Sequence, residues 1–359
     1  MVITVIGGGN IGTLMAGEFA ARGHEVRMYT SDAPAWSGDI DVYGPEGDLP
    51  LMTGHLALVT DNLEKAVSGA DWVWVTHPTS RFQPLSKRLV PLITAGQRLA
   101  VVPGADAEFY FGACVEKGAE LLGLQRVHSI ARLRERGRSV YMLGRKPSIQ
   151  LASIPADAAT RRAQEVSELF DLPVEILPNY LVETLTPSNP ILHTTRIASM
   201  FAGWHEGITY PENILFYESW TLESSQLLIA CDSELQTLCR TIEQASQLDL
   251  SEVRSLRVHY ESPTAEAMTA KISGIPAFKG LTSPMKEIAP GQWVPDFSSR
   301  YFKADFAYGL KVIRDMAALF GVETPGIESV WQWYVKTSGD TEWFDKLPSS
   351  ADALCEIYR

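Results

Sequence analysis

The chain has 359 residues, a length that favours two domains. Its formal net charge of −12 argues against nucleic acid or an anionic membrane as a partner. No apolar stretch reaches transmembrane length and no signal peptide precedes the first apolar run, so we expect a cytoplasmic protein. The four cysteines are scattered without the spacing of metal ligands, and no metal site is expected.

The first predicted element is a strand, because residues 1–6 form a short apolar run rich in β-branched side chains. The motif G-x-G-x-x-G follows, and an apolar stripe with helical spacing comes after it. In a dinucleotide-binding turn, Gly7 permits the tight turn, Gly9 admits a pyrophosphate and Gly12 lets helix and strand pack closely. Asn10 and Ile11 belong to the same predicted site, since the first N–H groups of the helix face the phosphates.

The end of the second predicted strand, residues 25–29, helps to choose the cofactor. An acidic residue at this point would bind the ribose 2′-hydroxyl of NAD, and its absence makes room for a 2′-phosphate. The chain has Thr30 and Ser31 here, and both hydroxyls can bind phosphate, although Asp32 is near enough to turn back. We therefore expect NADP(H) to be favoured, with NAD(H) left open.

Strands and helices alternate through the rest of this region. The stretch 32–54 is rich in glycine, proline and aspartate and predicts a loop. Strands are predicted at 56–59, 72–76 and 98–102, and helices at 63–68, 82–93 and 107–122. This alternation predicts an α/β domain with a doubly wound, Rossmann-type parallel sheet. Ligands bind beyond the carboxyl ends of such strands, so His77, Pro103 and Gly104 are expected on the cofactor side.

Three short strands at 127–131, 139–143 and 149–154 are predicted to extend the sheet, followed by a helix at 156–170 and a strand at 173–177. Beyond these elements the sequence pattern is almost wholly helical. Helices are predicted at 212–218, 222–246, 265–270 and 305–320, with another that Asn189-Pro190 opens. We therefore expect an NAD(P)-binding Rossmann domain at 1–180 and an all-helical substrate-binding domain at 181–359.

A nicotinamide-binding domain joined to a helical domain predicts hydride transfer across the cleft between them. The helical domain must then supply a proton donor or acceptor and an anchor for a carboxylate or carbonyl group. Two stretches contain both residue types, one ending at His193 and the other running from Arg300 to Asp305. The histidines His24, His55, His128 and His259 have no partner motif and are interpreted as surface or turn residues.

With these motifs in order, the chain resembles the opine dehydrogenases of the octopine and nopaline type. The resemblance rests on the N-P-x-x-H run Asn189–His193 and the R-Y-F-x-x-D run Arg300–Asp305, with similar texture at 308–310 and 321–325, and it covers essentially the whole chain. It implies that His193 is the catalytic acid/base, that Asp305 is its carboxylate partner and that Arg300 anchors a substrate carboxylate. Asn189 is a further substrate-binding candidate.

The resemblance implies a reductive condensation, in which the amine of an amino acid attacks a 2-oxo acid, water leaves and NAD(P)H reduces the imine. The enzyme would be an oxidoreductase acting on the CH–NH group, with two small molecules as substrates and a homodimer left open. Members of this family carry an acidic residue near the start of 127–131, where this chain has His128-Ser129. That difference weakens any transfer of specificity for a basic amino acid.

Two other functions stay open on the sequence. One is a ketone or 2-oxo acid reductase of the ketopantoate reductase or glycerol-3-phosphate dehydrogenase type, which relies on a catalytic lysine that has no clear motif here. The other is a non-catalytic protein that senses NADP(H). The three site residues also have structural alternatives: a buried histidine bonded to a carbonyl for His193, a helix cap for Asp305 and an ion pair for Arg300.

Overall fold

The computed structural model describes residues 1–359, which divide into two units. The first unit is Met1–Thr184 together with Glu356–Arg359, and the second is Leu185–Cys355. The end of the chain thus returns to the first unit, a feature that no local sequence pattern indicates. No helix combines the length and the apolar character needed to cross a lipid bilayer.

The elements of the first unit alternate between strands and helices over most of its length. The strands are β1 (Val2–Ile6), β2 (Glu25–Tyr29), β3 (Asp39–Tyr43), β4 (Pro50–His55), β5 (Leu58–Thr60), β6 (Trp72–Val75), β7 (Arg98–Val101), β8 (Glu120–Leu124), β9 (Ser129–Glu135), β10 (Ser139–Arg145), β11 (Ile149–Ile154) and β12 (Val174–Ile176). The helices are α1 (Asn10–Ala21), α2 (Leu63–Val67), α3 (Phe82–Leu89), α4 (Glu108–Phe111), α5 (Ala113–Glu116), α6 (Asp157–Phe170) and α7 (Leu181–Thr184).

The main sheet has eight strands in the order β12-β11-β8-β7-β6-β1-β2-β5. Its six strands from β8 to β5 run parallel, and β11 pairs antiparallel with β8. The central strands are buried on both faces, as their continuous apolar runs predict. The predicted Rossmann-type sheet is therefore confirmed, and its strand order reverses between β1 and β6, next to the glycine-rich turn.

A second sheet has the order β4-β3-β10-β9. Strands β3 and β4 lie where the sequence predicted only a loop. Strands β9 and β10 were predicted to extend the main sheet, and that prediction was wrong because β10 pairs with β3 instead and β9 pairs with β10. The prediction for 32–54 was wrong because its glycine, proline and aspartate content masks a short alternating strand. In β3, Ile40 and Val42 are fully buried, at the period of two that one covered sheet face requires. These side chains belong to the same core as Leu14 and Phe19 of α1.

Helix α1 lies between the two sheets, and its residues from Gly12 to Phe19 are all buried. The contact with β4 is close: a β-carbon on Gly54 would lie only 2.3 Å from the Gly17 carbonyl oxygen. Glu18 is also enclosed, and it binds His128 at 2.7 Å and Arg145 at 2.6 Å. Burial opposes ionisation of Glu18, yet the hydrogen bonds and charges of those two partners hold its pKa below the usual value. His128 is thus a buried hydrogen-bond partner of Glu18 and not the surface or turn residue that was predicted.

The helix predicted at 107–122 is also absent as a single element. Two helices of one turn, α4 and α5, stand in its place, and the apolar residues that follow form β8. Because β8 pairs with β7 on one side and with β11 on the other, its side chains are buried within the sheet. Continuous burial of this kind cannot be distinguished from a buried helix by periodicity alone.

The second unit is mainly helical, as predicted, with one added hairpin. It contains α8 (Leu192–Met200), α9 (Leu222–Ser246), α10 (Leu256–His259), α11 (Ala265–Ser273), β13 (Met285–Ala289), β14 (Gln292–Pro295), a π-helix (Tyr301–Leu310), α12 (Lys311–Leu319), α13 (Pro325–Ser338) and α14 (Ala351–Glu356). The segment 212–218, predicted as a helix, has no regular structure. The predicted helix at 305–320 consists of the second half of the π-helix and α12.

Three carboxylic acids are buried beside the end of β7 in the first unit: Asp106, Glu108 and Glu183. Burial raises the pKa of all three, to about 7 for Glu108. Thr184 and Tyr358 each donate a hydrogen bond of 2.7 Å to the same oxygen of Glu108. The last residues of the chain are therefore held in the first unit by a carboxyl group that stays protonated more readily than a surface glutamate.

Because the folded protein binds the Glu108 proton more tightly than the unfolded chain, this residue stabilises the fold fully below about pH 4.5, and the contribution is lost as pH rises through about 7. We expect Glu108→Gln to gain up to about 3 kcal/mol relative to the wild type between those limits. Urea unfolding at a series of pH values measures the difference. Glu116→Gln, which changes an exposed glutamate nearby, is the control. A difference that stays constant with pH would contradict this account.

Candidate active site

The glycine-rich turn joins β1 to α1 and presents the amino-terminal end of that helix. Gly7 has φ of +118°, a conformation that side chains rarely permit, and a β-carbon on Gly12 would lie 1.8 Å from the Gly7 carbonyl oxygen. Gly9 faces open space, and no side chain caps the helix. The first N–H groups, including those of Asn10 and Ile11, are therefore directed at a space that a phosphate group can fill.

The Asn10 side chain itself has another task, since its Oδ1 accepts a hydrogen bond of 2.9 Å from the N–H of Leu133 in β9. This bond ties the first turn of α1 to the second sheet. Asn10 is thus able to offer its backbone N–H to a phosphate while its side chain holds the turn in place.

At the end of β2, Thr30 is buried and Ser31 is exposed. Asp32 does turn back: its Oδ1 accepts a hydrogen bond of 2.5 Å from the Thr30 hydroxyl. Its other oxygen accepts one of 2.5 Å from Arg136 Nε, which comes from the β9–β10 turn. Hydrogen bonds from Arg136 and then from Thr30 and Trp36 hold the pKa of Asp32 well below its usual value. Arg136 was missed because it lies 104 positions away in sequence.

The other residues expected on the cofactor side have different surroundings. His77 follows β6, and its Cδ2 atom would lie 2.8 Å from a β-carbon on Gly7, so the ring lies against the glycine-rich turn. Burial, with a smaller effect of Arg81, lowers the pKa of His77. Pro103 is exposed. Gly104 is buried, and its N–H and C=O groups are bonded to Leu124 and Tyr180, which leaves neither for a nucleotide.

The second unit brings together the histidine and the carboxylate of the two separate sequence motifs. His193 lies in the first turn of α8 and Asp305 in the π-helix, a rare helix type that is frequent at functional sites. His193 Nδ1 and Asp305 Oδ2 are 2.8 Å apart, and both side chains are buried. The Asp305 carboxylate accepts a hydrogen bond from the Nδ1–H group of His193. Nε2 is therefore the nitrogen that accepts or releases a proton.

The sequence analysis missed Tyr217, whose hydroxyl lies 3.1 Å from His193 Nε2. It also missed Arg196, which is 2% exposed and donates hydrogen bonds to the carbonyl oxygens of Phe216 and Ser219, on either side of Tyr217. Burial lowers the pKa of Arg196 to about 10. An arginine one turn after the histidine, on the same predicted helix, was the available signal for a structural cation at this place.

Arg300 precedes the π-helix and is exposed, and its guanidinium carbon lies 5.7 Å from the ring centre of Tyr301. It has no carboxylate partner within the protein. Burial raises the pKa of Tyr217, and the positive charge of Arg300 opposes that rise. Tyr301 in turn packs against His193, with ring centres 4.9 Å apart. The backbone carbonyl oxygen of Asn189 accepts a hydrogen bond of 3.2 Å from the His193 N–H group, just before the start of α8.

Two family models match the chain, one on each part of it. Residues 176–337 match the model of the NAD/NADP octopine/nopaline dehydrogenase, alpha-helical domain. Residues 2–133 match that of the NAD-dependent glycerol-3-phosphate dehydrogenase N-terminus. The second match covers only nucleotide-binding sequence, whereas the first includes His193, Arg300 and Asp305.

Relatives that match nearly the whole chain agree with the first model. Tauropine dehydrogenase of Arabella iricolor is 26% identical over 94% of this chain and 92% of its own length. Opine dehydrogenase of Haliotis discus hannai is 27% identical over 94% of this chain and 90% of its own length. A solved structure of octopine dehydrogenase with NADH and L-arginine has the same fold, with a TM-score of 0.83 at 23% identity over 99% of this chain and 94% of that one. The helical part of the chain therefore matches the octopine/nopaline dehydrogenase family, the chain is similar to opine dehydrogenases over nearly its whole length, and it is an NAD(P)-dependent oxidoreductase that acts on CH–NH groups.

Proposed function

We propose that His193, Asp305 and Arg300 carry out the condensation of an amino acid with a 2-oxo acid and the reduction of the imine that results. The observation that carries this assignment is the 2.8 Å hydrogen bond between His193 Nδ1 and Asp305 Oδ2, made by residues 112 positions apart. Loss of water from the first adduct and reduction of the imine both need a group that exchanges protons near neutral pH. Histidine is the usual residue for that task.

Asp305 has the role of holding and charging the imidazole. Its carboxylate fixes the tautomer that carries the proton on Nδ1, and it stabilises the imidazolium that forms when Nε2 takes up a proton. Both groups are buried, so their attraction is screened less than that of a surface pair. His193 can therefore receive a proton in one step of the reaction and return it in another.

Arg300 has the role of binding the carboxylate of the 2-oxo acid. A guanidinium group offers two parallel N–H donors, which match the two oxygens of a carboxylate. No acidic side chain of the protein pairs with Arg300, so its charge is available to an anionic substrate. Arg300 lies beside Tyr301, which packs on His193, and this arrangement supports a role for the guanidinium group next to the acid/base pair.

The glycine-rich turn fits the pyrophosphate of NAD(P)H, because a side chain at Gly12 would fill the space that the turn needs and none caps α1. When bound, the cofactor supplies the hydride that reduces the imine. L-arginine in one octopine dehydrogenase structure and pyruvate in another support an amino acid as the amine donor and a 2-oxo acid as its partner. The four cysteines are buried free thiols, which supports a location in the reducing cytoplasm.

NADPH is the preferred cofactor in this proposal. Asp32, the carboxylate that could bind a ribose hydroxyl, is turned toward Thr30 and neutralised by Arg136. Arg136 uses only its Nε atom for this ion pair, and its two terminal nitrogens have no protein partner. Together with the exposed Ser31 hydroxyl, they can bind a 2′-phosphate at the end of β2, where Thr30 holds Asp32 in place.

Replacing Arg136 tests the cofactor preference. We expect the wild type to have the higher kcat/KM with NADPH, and Arg136→Ala to lower that value about tenfold, because a charged hydrogen bond to phosphate is lost, while the value with NADH changes little. Arg138→Ala removes another exposed arginine of the same turn, one that pairs with Glu135, and serves as the control. A wild type that prefers NADH, or an equal loss with both cofactors, would exclude this role.

Replacing His193 tests the catalytic assignment. Oxidation of NAD(P)H should require both an amine and a 2-oxo acid, and His193→Ala should lower kcat by roughly a hundredfold or more with cofactor binding retained, because the acid/base group is gone. Turnover is measured by cofactor absorbance and binding by cofactor fluorescence. His205→Ala, which changes an exposed histidine, is the control. Turnover with the 2-oxo acid alone would indicate a ketone reductase. No turnover with any pair of amine and 2-oxo acid would indicate a nucleotide sensor.

Replacing Arg300 separates binding from chemistry. Arg300→Ala should raise the KM for the 2-oxo acid about tenfold or more and affect kcat less, since the guanidinium group binds a carboxylate that does not react. Lys303→Ala is a matched control, because Lys303 is a cation in the first turn of the adjoining π-helix and is already paired with Asp340. Unchanged kinetics in Arg300→Ala would remove this residue from the site.

A further inference from the structure

Tyr217 lies in the irregular segment before α9 and is held there from several sides. Its ring stacks on Phe278, with centres 4.0 Å apart and planes 18° apart, and lies parallel to Trp220 at 6.3 Å. The residue is 6% exposed. With the ring fixed in this way, the hydroxyl has one near partner, which is His193 Nε2 at 3.1 Å.

Arg196 fixes the segment relative to the helix that carries His193. It donates hydrogen bonds to the carbonyl oxygens of Phe216 and Ser219, at 2.9 Å and 2.7 Å, and to the Ser224 hydroxyl at 3.1 Å. Burying a cation without a carboxylate partner is costly, and here the charge is met only by these oxygens and by the Trp220 ring at 5.5 Å. The two bonded carbonyls flank Tyr217, so they set its distance from His193.

Both nitrogens of His193 are therefore occupied by the protein. Nδ1 donates to Asp305, and Nε2 faces the Tyr217 hydroxyl. When His193 is neutral, the phenol O–H donates a hydrogen bond to Nε2. When His193 is charged, the Nε2–H group donates a hydrogen bond to the phenol oxygen instead. In the charged state the phenol O–H is released and can donate to a different acceptor.

We propose that Tyr217 is the group that touches the substrate, and that it passes the proton of His193 to the hydroxyl that leaves the carbinolamine. This inference rests on the function proposed above. As the C–O bond of the carbinolamine breaks, its oxygen takes the phenol proton and departs as water. The phenol oxygen takes the proton from Nε2, and the nitrogen lone pair forms the C=N bond. One proton thus leaves His193, and its positive charge passes to the iminium group.

The surroundings of Tyr217 suit a relay of this kind. Burial, with smaller effects of Tyr301, Tyr260 and Asp305, holds the pKa of Tyr217 above its usual value, and Arg300 opposes them weakly. The phenol therefore stays protonated throughout and never has to store a negative charge. The guanidinium group assigned to the substrate carboxylate lies against Tyr301, whose ring also packs against His193.

Tyr217→Phe is the direct test, because the ring that stacks on Phe278 is kept and only the hydroxyl is removed. With the amine and 2-oxo acid pair that the wild type turns over, kcat should fall about a hundredfold while the KM for the oxo acid and the binding of NADPH change less than about threefold. Tyr260→Phe removes the hydroxyl of another buried tyrosine near Tyr217 and should leave kcat unchanged. A kcat at or above the wild-type value in Tyr217→Phe would show that His193 contacts the substrate itself.

Incorporation of 3-fluorotyrosine at position 217 covers the case in which Tyr217→Phe does not fold. The fluorine atom keeps the ring and hydroxyl but makes the phenol more acidic, so a relay predicts a change in kcat, whereas an equal kcat would overturn it. The two proposals fail in different ways. A wild type that needs no amine, or does not turn over, contradicts the condensation, whereas loss in His193→Ala with full activity in Tyr217→Phe contradicts the relay alone.

Discussion

The second unit depends on two hydrogen bonds to one imidazole ring. His193 binds Asp305 through Nδ1 and Tyr217 through Nε2, at 2.8 Å and 3.1 Å. These partners come from a π-helix and from an irregular segment, and α8 supplies the histidine between them. Because a buried imidazole with an unpaired nitrogen is unfavourable, these contacts also determine how the three elements pack. Arg196, one turn along α8, adds bonds that hold the irregular segment in place.

The first unit depends on a different constraint, the close packing of α1 between two sheets. Gly12 packs against the carbonyl group of Gly7, in the turn that follows β1, and Gly17 packs against Gly54 of β4. The helix has no room for a side chain at either contact. This packing buries the carboxylate of Glu18, which is bound by His128 and Arg145. A helix held on both sides presents its amino-terminal N–H groups in a fixed position. A rigid anion-binding turn is the functional result.

The two parts of the chain give different information about function. The nucleotide-binding part matches a model named for glycerol-3-phosphate dehydrogenase, and the helical part matches one named for octopine and nopaline dehydrogenase. A dinucleotide-binding turn serves many reactions, so it identifies the cofactor class and little more. The family assignment follows from the helical part, in which the imidazole, carboxylate and guanidinium groups occur together.

The sequence by itself determined the features that depend on neighbours a few residues apart. The β1–turn–α1 unit, the parallel sheet, helix α9 and the candidates His193, Arg300 and Asp305 were all predictable, because strand and helix periods, turn glycines and short motifs are local. Only the tertiary structure decided which distant residues meet. The second sheet, the pairing of Arg136 with Asp32, and the approach of Tyr217 to His193 bring together residues far apart in sequence, and their geometry depends on how whole elements pack. No local period carries that information.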